Sequence, residues 1–229
     1  MNDFLVECCA NSIQSAINGE LGGANRIELC THLEVGGITP TREDIIRARE
    51  LLNIPLHVLI RPRSGDFVFS EKEMVQMLAD IQFCKKLGCD GVVIGALHKD
   101  GSINKEQTKA MVKAAKPVQI TFHRAFDEGN NLQQNLEDVI ACGCELFLTA
   151  GQSDNVIDGI SNLEQLVKLA KGRITILVGS GVNQSNAEAL YKIGIRNFHL
   201  SGSMKNQKGE IETDALLIKA VIDKLEQIV

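Results

Sequence analysis

The 229 residues carry a net charge of −5, are 44% hydrophobic and only 4% aromatic, and contain no Trp. Both signs of charge are spread along the chain without a basic block, which argues against nucleic acid as a partner, and no apolar run is long enough to span a bilayer. The core must therefore be aliphatic, which suits a layered α/β protein better than a β-sandwich, and the length fits a single α/β domain over residues 1–229.

The N-terminus, MNDFLVECC, has neither a basic stretch nor a long apolar one, so no secretion signal is expected. The seven cysteines are odd in number and none forms a CxxC, so a reduced, cytoplasmic thiol pool is the expectation. FLVEC reads as the first strand, followed by a helix over Asn11–Leu21 that opens on an Asn/Ser cap. RIEL and a helix over Thr41–Leu52 come next, then LHVLI and a helix over Ser70–Leu87. That helix opens with SEKE, a capping box of Ser70 and Glu73. GVVIG precedes a helix over Asn104–Ala115, and VQITF one over Asn131–Ala141. LFLT, ITILV and NFHLS follow, with helices over Ser161–Lys171, Asn183–Ile193 and Thr213–Ile228. Gly23, Gly88, Gly143 and Gly194 each stand between a helix and the next strand, where a left-handed backbone is wanted. Eight strand-then-helix units in a chain of this length predict a (β/α)8 TIM barrel.

Side chains alternate along a strand, and the outer side of each barrel strand meets apolar helices, so charged residues should point inward. That places Glu7 and Cys9 inside from the first strand, with Val6 and Cys8 outside; Glu28 and Cys30 inside from the second; and His57, Leu59 and Arg61 inside from the third. Gln119, Thr121 and His123 face inward from the fifth, and His199 and Ser201 from the eighth. Barrel interiors are normally filled by Val, Ile and Leu. Two inward carboxylates with a basic neighbour equip a site for proton transfer or for a hard divalent ion, so Glu7, Glu28, Arg61 and His123 are candidate catalytic residues. The competing reading is a salt-bridge network of Glu7 and Glu28 with Arg61 that merely fills the barrel.

Barrel enzymes work at the C-terminal mouth, and the loops after strands seven and eight often bind phosphate through backbone N–H groups. Gly179-Ser180-Gly181 and Ser201-Gly202-Ser203 stand there, with Arg63 and Arg124 on nearby loops, so a small anionic ligand is expected between them. The same Gly and Ser residues also suit plain tight turns. Glu-x-Cys occurs twice, ending the first two strands, and neighbouring strands lie about 4.8 Å apart. Cys9 and Cys30 are thus placed to hold one soft ion such as Cu(I), with Met204 as a third soft donor. Buried Cys is also an ordinary small core residue, and Cys8, Cys84, Cys89, Cys142 and Cys144 read as packing in the helix layer.

Taken together, the E-x-C near the start, GGANRIELC, EVGGITP, IRPRSGDFVFS, TFHRAFD, LTAGQ, VGSGV and FHLS resemble the CutC family, named for copper homeostasis. The resemblance covers nearly the whole chain. It implies a TIM barrel, cytoplasmic and homo-oligomeric (a dimer or a tetramer), that binds Cu(I) through cysteines matching Cys9 and Cys30. The family's loop after strand seven is usually richer in Gly; here Ser180 replaces one. The shared Glu, Arg, His and Asp residues are not what a copper carrier needs and look like an active site. Two readings stand side by side: a copper-binding homeostasis protein, and a barrel enzyme acting on a small anionic substrate of the phosphorylated kind.

Overall fold

The computed structural model describes residues 3–206 and 209–228. Eight parallel strands close into a barrel in chain order: β1 (Leu5–Ala10), β2 (Arg26–Leu29), β3 (Leu56–Leu59), β4 (Gly91–Ile94), β5 (Gln119–Phe122), β6 (Leu146–Thr149), β7 (Thr175–Val178) and β8 (Asn197–Leu200), with β8 pairing back onto β1. Helices α1 (Ile13–Leu21), α2 (Arg42–Leu51), α3 (Glu71–Leu87), α4 (Lys105–Ala115), α5 (Leu132–Cys142), α6 (Ile160–Ala170), α7 (Ala187–Lys192) and α8 (Ala215–Glu226) alternate with them. The chain is a TIM barrel, as the eight repeated units predict.

The local signals act as expected at the helix ends. Ser70 accepts the Glu73 N–H while the Glu73 side chain reaches back to Ser70, completing the capping box of α3. Gly88 and Gly143 end α3 and α5 with φ of +83° and +86°, a backbone that costs any other residue a Cβ clash. One element departs from the sequence reading. Residues ahead of the last helix form a two-stranded antiparallel hairpin, β9 (Ser203–Lys205) with β10 (Ile211–Thr213), so α8 begins at Ala215 with Asp214 as its cap. These strands are three residues each, too short to show a period of two.

The apolar residues divide into two groups. The large one lies between barrel and helices and holds Val6, Ile27, Val58, Ile120, Phe122 and Phe198 together with the five cysteines assigned to packing. The small one lies inside the barrel: Cys9, Cys30, Leu59 and Val93, with Leu33 against it. Leu146, Leu148 and Leu177 also face inward from β6 and β7, outside both groups, and the remaining interior is largely polar. Glu7, Arg26, Glu28, His57, Thr121 and His199 are all buried there.

Candidate functional site

Register decides which interior groups meet. β1 sets Glu7 beside Arg26 of β2, and β8 sets His199 beside Glu7 from the other side. The Glu7 carboxylate accepts from Arg26 Nε at 2.5 Å and bonds His199 Nδ1 at 2.7 Å, with His57 Nδ1 at 3.9 Å. Arg26 also donates to Gln119. Burial alone would raise the Glu7 carboxyl, but Arg26 first, then His199 and His57, hold it well below the usual carboxylate range. Glu7 is a fully paired, permanently ionised group at the centre of the barrel.

Glu28, one layer nearer the mouth, is different. Its Oε2 is buried without a hydrogen-bond partner, and the nearest cation is His199 Nδ1 at 3.8 Å. Burial pushes its carboxyl up to about 7; the His199 and Arg26 charges work against this and the Glu7 charge works with it. Burial disfavours a charged His199, yet Glu28 and Glu7 outweigh it and the imidazole is raised overall. Two carboxylates of the same type are thus driven apart by their surroundings.

The two cysteines of the repeated Glu-x-Cys lie side by side. Cys9 Sγ and Cys30 Sγ are 3.9 Å apart, and both residues line a cavity of about 1000 Å³ at the C-terminal mouth. The Cys30 thiol first, then burial and the Glu28 charge, push the Cys9 thiol well above its ordinary value. Met204 sits on β9, half exposed and outside the cavity lining, so it does not join them.

The expected arginine partner is corrected by the structure. No hydrogen bond or ion pair among the described residues joins Glu7 or Glu28 to Arg61 or His123. Arg61 turns up to the mouth, where Nη1 donates to the Val35 and Gly37 carbonyls, Nη2 donates to the Gly65 carbonyl, and the guanidinium lies 4.5 Å over the Phe67 ring. His123 accepts the Ala125 N–H on Nδ1 and packs against Phe67, and burial, aided by Arg61, pushes its imidazole down to about 3. Both still line the cavity. The basic neighbours of the carboxylates are Arg26, His57 and His199. Parity along the strands points His57 and His199 inward without showing which group they meet; Arg26 shares the parity of Glu28, two residues on, and that spacing is the sequence signal for its inward position.

The anion-site residues divide as well. Ser180, Gly181, Ser201, Gly202, Ser203 and Arg124 line the cavity, whereas Gly179 and Arg63 do not. Gly179 donates its N–H to Thr149 and packs on the His199 ring, and Arg63 is bound by Asp66 and Glu73. Arg124 is held by Asp127 and the Ser153 carbonyl. The N–H groups of Ser180, Gly181 and Gly202 have no protein acceptor among the described residues. Ser180 and Gly181 both have φ of +81°, so the Ser in this loop adopts a backbone that favours Gly.

The family model described as CutC family matches residues 4–204. A family protein CutC from Bacteroides fragilis is 40% identical, covering 100% of this chain and 98% of its own. The copper homeostasis protein cutC homolog of Mus musculus is 40% identical over 91% of this chain and 77% of its own. This chain belongs to the CutC family. A crystal structure of CutC from Streptococcus agalactiae has the same fold, with a TM-score of 0.82 and 30% identity, covering 86% of this chain and 98% of that one. Within this CutC barrel, Glu7, Cys9, Glu28 and Cys30 belong to one interior cluster: Glu7 lies deepest, Cys9 and Glu28 stand side by side in register, and Cys30 lies nearer the mouth against Cys9. No helix among the described residues is long and apolar enough to cross a membrane.

Proposed function

We propose that this CutC-family chain binds Cu(I) between Cys9 and Cys30 and serves copper homeostasis in the cytoplasm, as one domain over residues 1–229 assembled into a homo-oligomer. The observation that carries the reading is the 3.9 Å approach of the two sulfurs at a mouth cavity, set among the aliphatic side chains of Leu59 and Val93. Thiolates are soft donors that select Cu(I), and an apolar surround limits exchange with solvent. The mouse relative, named as a copper homeostasis protein cutC homolog, supports the same role. Competition for Cu(I) against a chromophoric chelator, under reducing conditions, tests it. The wild-type chain is expected to take one equivalent, and the Cys9→Ser, Cys30→Ser double variant to lose it. Unchanged stoichiometry in the double variant removes the copper reading.

A second reading is favoured by the N–H groups of Ser180, Gly181 and Gly202, which have no acceptor among the described residues and belong to residues lining the same cavity as Arg124 and Glu28. Backbone donors of this kind suit a phosphate-like anion. In this reading the barrel is an enzyme on a small anionic substrate, with Glu28 as the proton-transfer group. Crystals soaked in phosphate or sulfate are expected to hold an anion between the two loops, and persistent absence of one at high concentration counts against a phosphorylated substrate.

A further inference from the structure

We infer that Cys9, Glu28 and His199 form a second metal site, distinct in donor set from the thiol pair, that takes a borderline divalent transition-metal ion of the Zn2+ type. The Cys9 sulfur, a Glu28 carboxylate oxygen and a His199 ring nitrogen all lie within 4.8 Å of one another, and all three residues are buried. Cys30 is not part of this group. An ion bound at about 2.0–2.3 Å from each donor sits naturally in such a cluster.

Two independent features point to a ligand. Glu28 Oε2 is buried with no hydrogen-bond partner, a costly state for a carboxylate that a cation would relieve. The second is the support behind His199. Its Nδ1 is bound to Glu7, and its Nε2 makes no hydrogen bond among the described residues. A carboxylate on one ring nitrogen fixes orientation and raises the basicity of the other, an arrangement that recurs behind metal-binding imidazoles. Arg26 in turn keeps Glu7 ionised for that task.

Sulfur, nitrogen and oxygen from three residues is a donor set for Zn2+ rather than for Mg2+ or Ca2+, which take oxygen alone. Three protein donors leave a fourth position for water or a ligand, and here all three residues line the mouth cavity.

This inference shares Cys9 with the Cu(I) reading but not Cys30, so the two fail separately. The experiment titrates the reduced, folded chain with Zn2+ against a chromophoric chelator and with Co2+ as a spectroscopic probe. One equivalent of Co2+ is expected to give a sulfur-to-cobalt charge-transfer band with tetrahedral-type absorption. Cys30→Ser should keep that band and the Zn2+ affinity while losing Cu(I). Cys9→Ser should abolish the band. Glu28→Gln, which keeps shape, should weaken Zn2+ at least tenfold and leave Cu(I) binding in place, with circular dichroism confirming the fold. Absence of the band in the wild-type chain overturns the inference, and so does a Zn2+ affinity that survives Glu28→Gln but not Cys30→Ser, since the thiol pair alone would then hold the ion.

Discussion

At the scale of single residues, the site contrasts one carboxylate that is locked with one that is not. Glu7 has Arg26 and His199 in hydrogen-bond contact, so Glu7→Gln leaves the Arg26 charge buried and uncompensated. Breaking a buried pair in this way costs about 3–5 kcal/mol, and we expect urea unfolding of that variant to show a loss of this order. Glu28 should behave in the opposite sense, because its charge is buried without a bonded partner. Metal binding at Cys9 requires expulsion of a proton from a thiol held well above its ordinary value. Apparent Cu(I) affinity should therefore rise with pH through the neutral range, by about tenfold per unit for each proton released; a flat profile measured by chelator competition would mean the sulfur is not a ligand. How much of this was legible in the sequence follows from the physics of each step. Parity alone placed Glu7, Cys9, Glu28, Cys30, His57 and His199 inside. It carried no information on partners, since whether Glu7 meets Arg26 or Arg61 depends on strand register, on barrel closure and on the reach of a long side chain.

At the scale of elements, β4 makes room for its neighbours by having little of its own. A Cβ on Gly91 would lie 2.4 Å from Nε2 of His57, and one on Gly95, just past the strand, 2.6 Å from Cε1 of His123. The imidazoles of β3 and the β5 end thus occupy space that any other residue on β4 would fill. We expect Gly91→Ala to cost about 1–3 kcal/mol through overpacking. Combining it with His57→Ala should recover part of that loss, so the two changes measured by denaturant midpoint should be clearly non-additive; simple additivity would show that the ring and the glycine do not share that space. The elements themselves were readable because most strands are apolar runs entered through a Gly or Pro signal and most helices open on a side-chain cap, α6 and α7 being the exceptions. The β9–β10 hairpin escaped because six residues split between two strands carry no usable alternation and run directly into the cap of α8.

At the scale of the whole molecule, the buried titratable groups give the stability a definite pH dependence. His57 is pushed down to about 4 by burial, from an ordinary 6.5, so between those values the unfolded chain binds a proton that the folded chain refuses. Its contribution is complete above 6.5 and drains as pH falls through 4. Glu7 adds a second loss below 4.5, where the unfolded carboxyl protonates and the folded one stays ionised. Glu28 acts the other way: pushed up to about 7, it is protonated in the folded state from 4.5 to 7, so its contribution shrinks as pH rises across that window. Wild-type urea midpoints should therefore fall steeply below about pH 5. Glu28→Gln should be more stable than wild type near pH 8, by about 1–3 kcal/mol, and no more stable near pH 5. An advantage of equal size at both pH values would show that Glu28 does not titrate in the folded barrel.

The turn of Arg61 toward the mouth has a consequence for how the rim moves. One guanidinium ties the loop after β2, at Val35 and Gly37, to the loop after β3, at Gly65, while the Arg61 backbone bonds Thr39 in both directions. It is a keystone: three carbonyls from two segments rest on a single planar fork. The opposite rim, where Ser180, Gly181 and Gly202 stand, is tied by single bonds, such as Ser180 Oγ to the Asp154 carbonyl and the Val156 N–H to the Ser180 carbonyl, and no arginine fork spans it among the described residues. Any gate for a ligand should therefore swing on the β7–β8 side, with the Arg61 side as its fixed jamb. Arg61→Lys keeps the charge but loses the fork. Hydrogen exchange should then quicken around residues 35–39 and 65–67 together, as one released unit, and leave the loops after β7 and β8 unchanged.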